Sequence, residues 1–421
     1  MRNTSLAAVA LLGAALLAPT SAATAAGETC QGQAATIVGT PGSRITGTAG
    51  ADVIVTNGAA RVDAPGGNDV VCATGGDPQF PGSGVYAVLG AGADTFVDSS
   101  GGRPWIYAGA IVGREDVVLP DSTDTEADVI RAGSAVVISG TAGQPNADII
   151  DLDFGEVVWS GIQTAPGALS VGTGGILGVR SATGDVTMKA SGSVTGDDTA
   201  LTWTGQFDRL VFTTTAERGM FTFRGTSGSE HVKVDAPTTY DRDIALRSGK
   251  DSYESNSLGG KSTRIKGDGG RNQLLLELSR HDRVRADLSR SRVTATKAGD
   301  TDAIRVRGFD DLVVAAKRAV VIGTNRANRV GVIACRTTIK GRKGRDDLYA
   351  DVRYRGLGTW ITPRCGKQKA TIFGGPGNDT VTGSLGSDRL IGGPGKDVVQ
   401  GRTGGFDVCR GEKVRECEKR I

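Results

Sequence analysis

The strongest constraint on this chain is a nine-residue period near its C-terminus: GGPGNDTVT, GSLGSDRLI, GGPGKDVVQ and GRTGGFDVC follow one another without a gap from Gly374 to Cys409. Each block opens on glycine, carries one Asp near its sixth position and one apolar residue near its eighth. Self-similarity at a fixed short period marks a chain built from stacked identical units. A nine-residue block has one apolar side chain to bury, about 1.5 to 3 kcal/mol. Ordering its backbone costs several times as much, so the blocks must fold against one another. The glycines supply positive φ angles at no steric cost.

The GGxGxD core of these blocks resembles the RTX, or hemolysin-type, calcium-binding nonapeptide. The resemblance implies a turn from the first six residues and a short strand from the last three, with two blocks completing one turn of a parallel β-roll. It places the apolar eighth positions Val381, Leu390, Val399 and Val408 inside the roll. It also stacks Asp379 and Asp397, 18 residues apart, on one edge. Calcium takes about six to eight oxygen ligands, and stacked carboxylates with glycine-turn carbonyls would provide them. The implied metal site comprises Gly374, Gly375, Gly377, Asp379, Gly383, Gly386, Asp388, Gly392, Gly393, Gly395, Asp397 and Asp407, with Ca2+ as the cofactor. On the second edge Asp388 and Asp407 are 19 apart, because Phe406 shifts the fourth block by one residue. RTX toxins and proteases are usually acidic, poor in cysteine and exported through an uncleaved C-terminal signal. This chain departs on all three points, so a toxin role is not carried over.

Weaker copies extend the pattern upstream: GTAGADVIV with Asp52, APGGNDVVC with Asp69, GTSGSEHVK with Glu230, GDGGRNQLL with Asn272 and GRKGRDDLY with Asp346. Gly-Thr recurs at Gly47, Gly140, Gly225 and Gly323, and QFDRLVF (206–212) is echoed by GFDDLVV (308–314). Alternating runs such as DVTMKASGSVTG, punctuated by Gly, Asn and Asp, have strand period. The LLLEL run after Asn272 reads as a buried strand. The expected fold class is all-β, a parallel β-solenoid or β-roll with degenerate repeats. The expected organisation is a signal peptide at 1–25, an N-terminal solenoid with RTX-like turns at 26–160, a degenerate solenoid at 161–365, the calcium-binding roll at 366–409 and a cap at 410–421.

Arg2, the apolar stretch Leu6 to Ala18 and the small residues before Ala25 form a secretory signal, and no later run approaches the ~20 apolar residues of a membrane span. A secreted, extracellular location follows. Six cysteines in an exported chain favour disulfides, with sequential pairing the expected connectivity among fifteen. The two histidines, His231 and His281, belong to no HExxH motif and read as solvated. LGGKS lacks the first glycine of a phosphate loop, and DSTDTEAD lacks the glycine and closing Glu of an EF-hand. The expectation is therefore a non-catalytic surface or adhesive protein whose C-terminal turns are ordered by calcium. The alternative is a polysaccharide lyase or hydrolase on a β-helix scaffold. From Arg280 to Arg355 there are 19 Lys or Arg against 9 Asp and no Glu. That span nominates an anionic cell-wall polymer or polysaccharide as partner; with few aromatics for base stacking, nucleic acid is not expected.

Overall fold

A computed structural model describes residues 27–76, 83–109, 111–112, 119–120, 125–350 and 365–421. The proposed signal segment lies outside them. The described chain is all-β, interrupted by one 3-10 turn at Leu288–Arg290. It forms a 39-stranded main sheet in which the pairings are overwhelmingly parallel. No helix among the described residues is long and apolar enough to cross a membrane.

Successive strands alternate between two parallel ladders. One runs through Arg209–Thr214, His231–Asp235, Ser252–Ser255, Gln273–Glu277, Asp311–Ala315, Arg329–Ile333, Asp347–Tyr349, Thr380–Thr382, Val398–Gln400 and Lys413–Arg415. The other passes through Arg318–Ile322, Arg336–Lys340, Lys369–Phe373, Arg389–Ile391, Val408–Arg410 and Lys419–Arg420. The pairs Thr380↔Val398 and Arg389↔Val408 set the C-terminal register. Strands are short because glycine and Asp end each one after a few residues, and within each the side chains alternate inward and outward.

The inward positions build one continuous core that reaches from Ile45 to Cys409. Val381, Leu390 and Val399 are fully buried, as their block positions require. Val408 is the exception: it is half-buried, and Cys409 takes the core position opposite Leu390. The fourth block's extra residue is absorbed in the turn, with Arg402 at φ 88° and Gly404 at φ 131°. Asp407 keeps its place in the stack, and the following strand begins one residue late. A one-residue shift exchanges inward and outward faces.

Within the main sheet, among the described residues, two antiparallel excursions interrupt the parallel order. Val186–Lys189, Ser193–Gly196 and Thr199–Gln206 form one; Arg283–Asp287, Arg292–Lys297 and Asp300–Arg307 form the other. Each immediately precedes one of the two related FD-containing segments, which occupy equivalent strands of the first ladder. Three disulfides, Cys30–Cys72, Cys335–Cys365 and Cys409–Cys417, match sequential pairing. His281 is not solvated: it is buried, and its Nδ1 has no hydrogen-bond partner. His231 is half-buried beside Glu254, its Nε2 3.2 Å from Oε2.

Candidate metal centre

Every strong block places its Asp at the foot of a strand, where the side chain turns back under the neighbouring turn. Asp346 N–H donates to Asp379 Oδ1 at 2.8 Å, Asp379 N–H to Asp397 Oδ1 at 2.9 Å, and Asp397 N–H to Glu412 Oε2 at 2.7 Å. Upstream, Asn328 N–H donates to Asp346 Oδ1 at 2.8 Å. On the other edge Asp388 N–H donates to Asp407 Oδ1 at 2.8 Å and Asp407 N–H to Glu418 Oε2 at 2.6 Å. One oxygen of each carboxylate is thereby spent on the ladder.

The other oxygen divides the turns into two kinds. In Asp346, Asp379, Asp397 and Asp407, Oδ2 is buried without a hydrogen-bond partner. In Asp388 it is not, because Ser384 donates its N–H to Oδ2 at 2.5 Å and its hydroxyl to Oδ1 at 2.8 Å. The residue after the first glycine decides which kind forms. Gly375, Gly393, Arg342 and Arg402 there have φ of 114°, 120°, 85° and 88°. Gly375 thus sends its N–H across to the Gly392 carbonyl at 2.8 Å and away from its own Asp. Ser or Thr in that place turns the N–H onto the carboxylate, a side-chain-assisted local turn.

The first glycine of each strong block lies against the carboxylate of its own Asp, in the closed turn of Asp388 as in the open ones, with no room for a side chain. A Cβ on Gly374 would overlap both Asp379 Oδ2 and the Gly392 carbonyl, and one on Gly341 would overlap Asp346 Oδ2 and lie 2.5 Å from the Gly374 carbonyl. Hard oxygens from two successive turns therefore converge there, an arrangement that suits calcium. Among the described residues no three His, Cys, Asp or Glu side chains form a metal-holding group. A cation in these turns would consequently take most of its ligands from backbone carbonyls.

The electrostatics agree. Burial pushes the Asp379 carboxyl up from 3.8 to about 6, opposed by the Asp346 N–H bond and reinforced by the charge of Asp397. Burial likewise raises Asp346 and Asp407 to about 6. It moves Asp397 and Asp388 upward too. Buried carboxylates lacking a countercharge resist ionisation, and a bound dication would reverse that.

The predicted site residues divide accordingly. Gly374, Gly375, Gly377, Asp379, Gly392, Gly393, Gly395 and Asp397 lie on one stack, while Gly383, Gly386, Asp388 and Asp407 lie on the opposite edge. Asp346, in one of the weaker copies, joins the same stack and is not among the residues implied by the resemblance. The stacks end on Glu412 and Glu418, which belong to no block and so carry no repeat signal.

The stack also reaches far upstream. Asp52 N–H donates to Asp69, Asp69 N–H to Asp94, Asp94 N–H to Asp128, and Asp128 N–H to Asp148, at 2.7 to 3.1 Å. Thr48 N–H covers Asp52 Oδ2 at 2.5 Å, whereas Asp69 Oδ2 is an unpartnered buried oxygen. Further along, Glu230 N–H donates to Asp251 Oδ1 and Asp251 N–H to Asn272 Oδ1, each at 3.0 Å. The Asn272 amide donates to the Gly267 and Gly308 carbonyls at 2.8 and 2.9 Å. An amide N–H there lies where a cation would sit beside an open Asp turn.

These C-terminal turns define a calcium-type glycine and Asp repeat. Residues 371–405 match the family model of the RTX calcium-binding nonapeptide repeat, in 4 copies. This part of the chain is thus made of RTX calcium-binding repeats. No curated protein matches the chain.

Proposed function

We propose that the chain is an exported calcium-binding repeat protein, a parallel β-solenoid whose C-terminal turns are ordered by Ca2+ and whose role is non-catalytic, at a surface or in adhesion. The observation that carries the reading is the pair of stacked, buried and unpartnered oxygens, Asp379 Oδ2 and Asp397 Oδ2, in turns held open by Gly375 and Gly393. Bound calcium would supply the missing countercharge; the protein contributes carboxylates and turn carbonyls already fixed in place. Alternation of strands between two ladders, with contacts only between neighbouring layers, supports the solenoid. The three disulfides support an oxidising compartment. For the non-catalytic role, the support is that His231 is engaged by Glu254 and His281 is buried.

Calcium titration by calorimetry, on wild type and on Asp379→Ala/Asp397→Ala, tests the site. The double variant is expected to bind fewer ions and to lose the calcium-dependent protection of its C-terminal turns. An unchanged stoichiometry would refute the assignment.

A further inference from the structure

The second antiparallel excursion docks on the strand Arg264–Lys266 and leaves an open groove of about 1110 Å³. Its lining contains Lys261, Arg264, Lys266, Arg290, Arg292, Arg305 and Arg307, and no carboxylate. All seven are exposed, and none has an ion pair among the described residues. Two acids in register with the cluster are already engaged: Asp243, opposite Arg264, binds Arg224, and Asp287, opposite Arg292, sits by Arg285, while Asp241 beside the groove accepts the Ser262 N–H.

Backbone pairing creates the cluster. Arg264 lies opposite Arg305, Lys266 opposite Arg307, and Arg305 opposite Arg292 across the antiparallel pair. Neighbouring strands are about 4.8 Å apart and alternate residues about 6.7 Å apart along a strand. The outward side chains therefore make a two-dimensional lattice of cations, while Ile265, Ile304 and Val306 fill the core beneath. Like charges directly opposite one another are unfavourable in a sheet. Cross-strand opposite charges are the ordinary remedy, and here the sheet repeats cations instead.

We propose that this groove binds an extended anionic glycan polymer, one carrying sulfate, phosphate or uronate groups at a spacing of several ångströms. The sequence span rich in arginine is thereby narrowed to Arg290, Arg292, Arg305 and Arg307. Lys261, Arg264 and Lys266 join them from an earlier part of the chain. Open form and repeated charge suit a polymer rather than an enclosed small anion. No aromatic side chain lines the groove, so nucleic-acid bases have nothing to stack on. The inference gives the non-catalytic binding role a partner, but it does not depend on calcium, because the groove and the C-terminal turns are separate sites.

The test is binding of the full chain to dextran sulfate in EDTA at about 0.1 M salt, with neutral dextran and a single-stranded thymidine oligonucleotide as comparators. Wild type should bind dextran sulfate, release it with rising salt, and ignore neutral dextran. Arg264→Ala/Lys266→Ala/Arg305→Ala/Arg307→Ala should weaken binding at least tenfold and flatten the salt dependence. Arg283→Ala/Arg318→Ala/Arg336→Ala/Lys340→Ala removes as many exposed cations elsewhere and should change it less than threefold. Equal losses in the two variants would overturn the groove in favour of diffuse surface charge. Tighter binding of the oligonucleotide, or a requirement for calcium, would also overturn it. Calcium stoichiometry measured on the same groove variant should stay at the wild-type value, which separates failure here from failure of the metal assignment.

Discussion

The substitution Asp379→Asn should stabilise the calcium-free C-terminal turns while making them insensitive to calcium. The Asp379 carboxyl is nearly fully buried and sits at about 6 instead of 3.8. At about 1.4 kcal/mol per pH unit, its ionised form destabilises the calcium-free fold by about 3 kcal/mol near neutral pH. Because the folded value is raised, this group's favourable contribution is complete below pH 3.8 and is lost as pH rises through about 6. The substituted side chain would keep the Oδ1 bond from Asp346 N–H, and its amide could donate to turn carbonyls as Asn272 does. Hydrogen exchange of strands Thr380–Thr382 and Val398–Gln400, corrected for intrinsic rates, reads the local opening free energy. In EDTA near pH 7.5 the variant should be protected up to about a hundredfold more than wild type, a factor matching about 3 kcal/mol. Near pH 4.5 most of that gain should vanish, and calcium should protect only the wild type. Equal or lower protection of the variant in EDTA near neutral pH would refute the reasoning, as would a pH-independent wild type.

Asn272→Asp is the reverse exchange. It should destabilise the middle turns by about 1 to 3 kcal/mol in EDTA, by removing the donor to the Gly267, Gly269 and Gly308 carbonyls, as read by urea midpoints. Gly395→Ala, at φ 141° and with a Cβ overlapping the Gly377 carbonyl, should abolish C-terminal exchange protection even in calcium. Ser384→Gly frees Asp388 Oδ2 and should raise the calcium stoichiometry or affinity measured by calorimetry. Removing the Cys409–Cys417 link as a double Ala variant should lower the stability of the last strands by about 2.5 kcal/mol, seen as faster exchange there alone.

The C-terminal site was legible because its information is short-range: a glycine, an Asp and an apolar residue within nine positions. What the sequence concealed is the continuation of the Asp stack. Asp69 to Asp94, Asp94 to Asp128 and Asp128 to Asp148 are 25, 34 and 20 residues apart, since chain of variable length is inserted between layers. The local sign was present nonetheless, as Gly92 and Phe96 flank Asp94 at the offsets of the stronger blocks. Ser384 hid a different fact. It stands where the neighbouring blocks carry Gly375 and Gly393, and its N–H and hydroxyl occupy Asp388. The basic groove was half legible, because strand pairing, which no local spacing encodes, joins Arg264 to Arg305.

A ladder whose layers touch only their neighbours opens like a zipper, from whichever end is loosest. Near its C-terminal end the core layer at Cys409 is tied by a covalent bond to Cys417, two short strands beyond the last open turn. That tie is an end stop. Loss of calcium would then let the turns around Asp379 and Asp397 breathe without letting the edge peel away, so the metal-dependent segment can reclose against a boundary still in register.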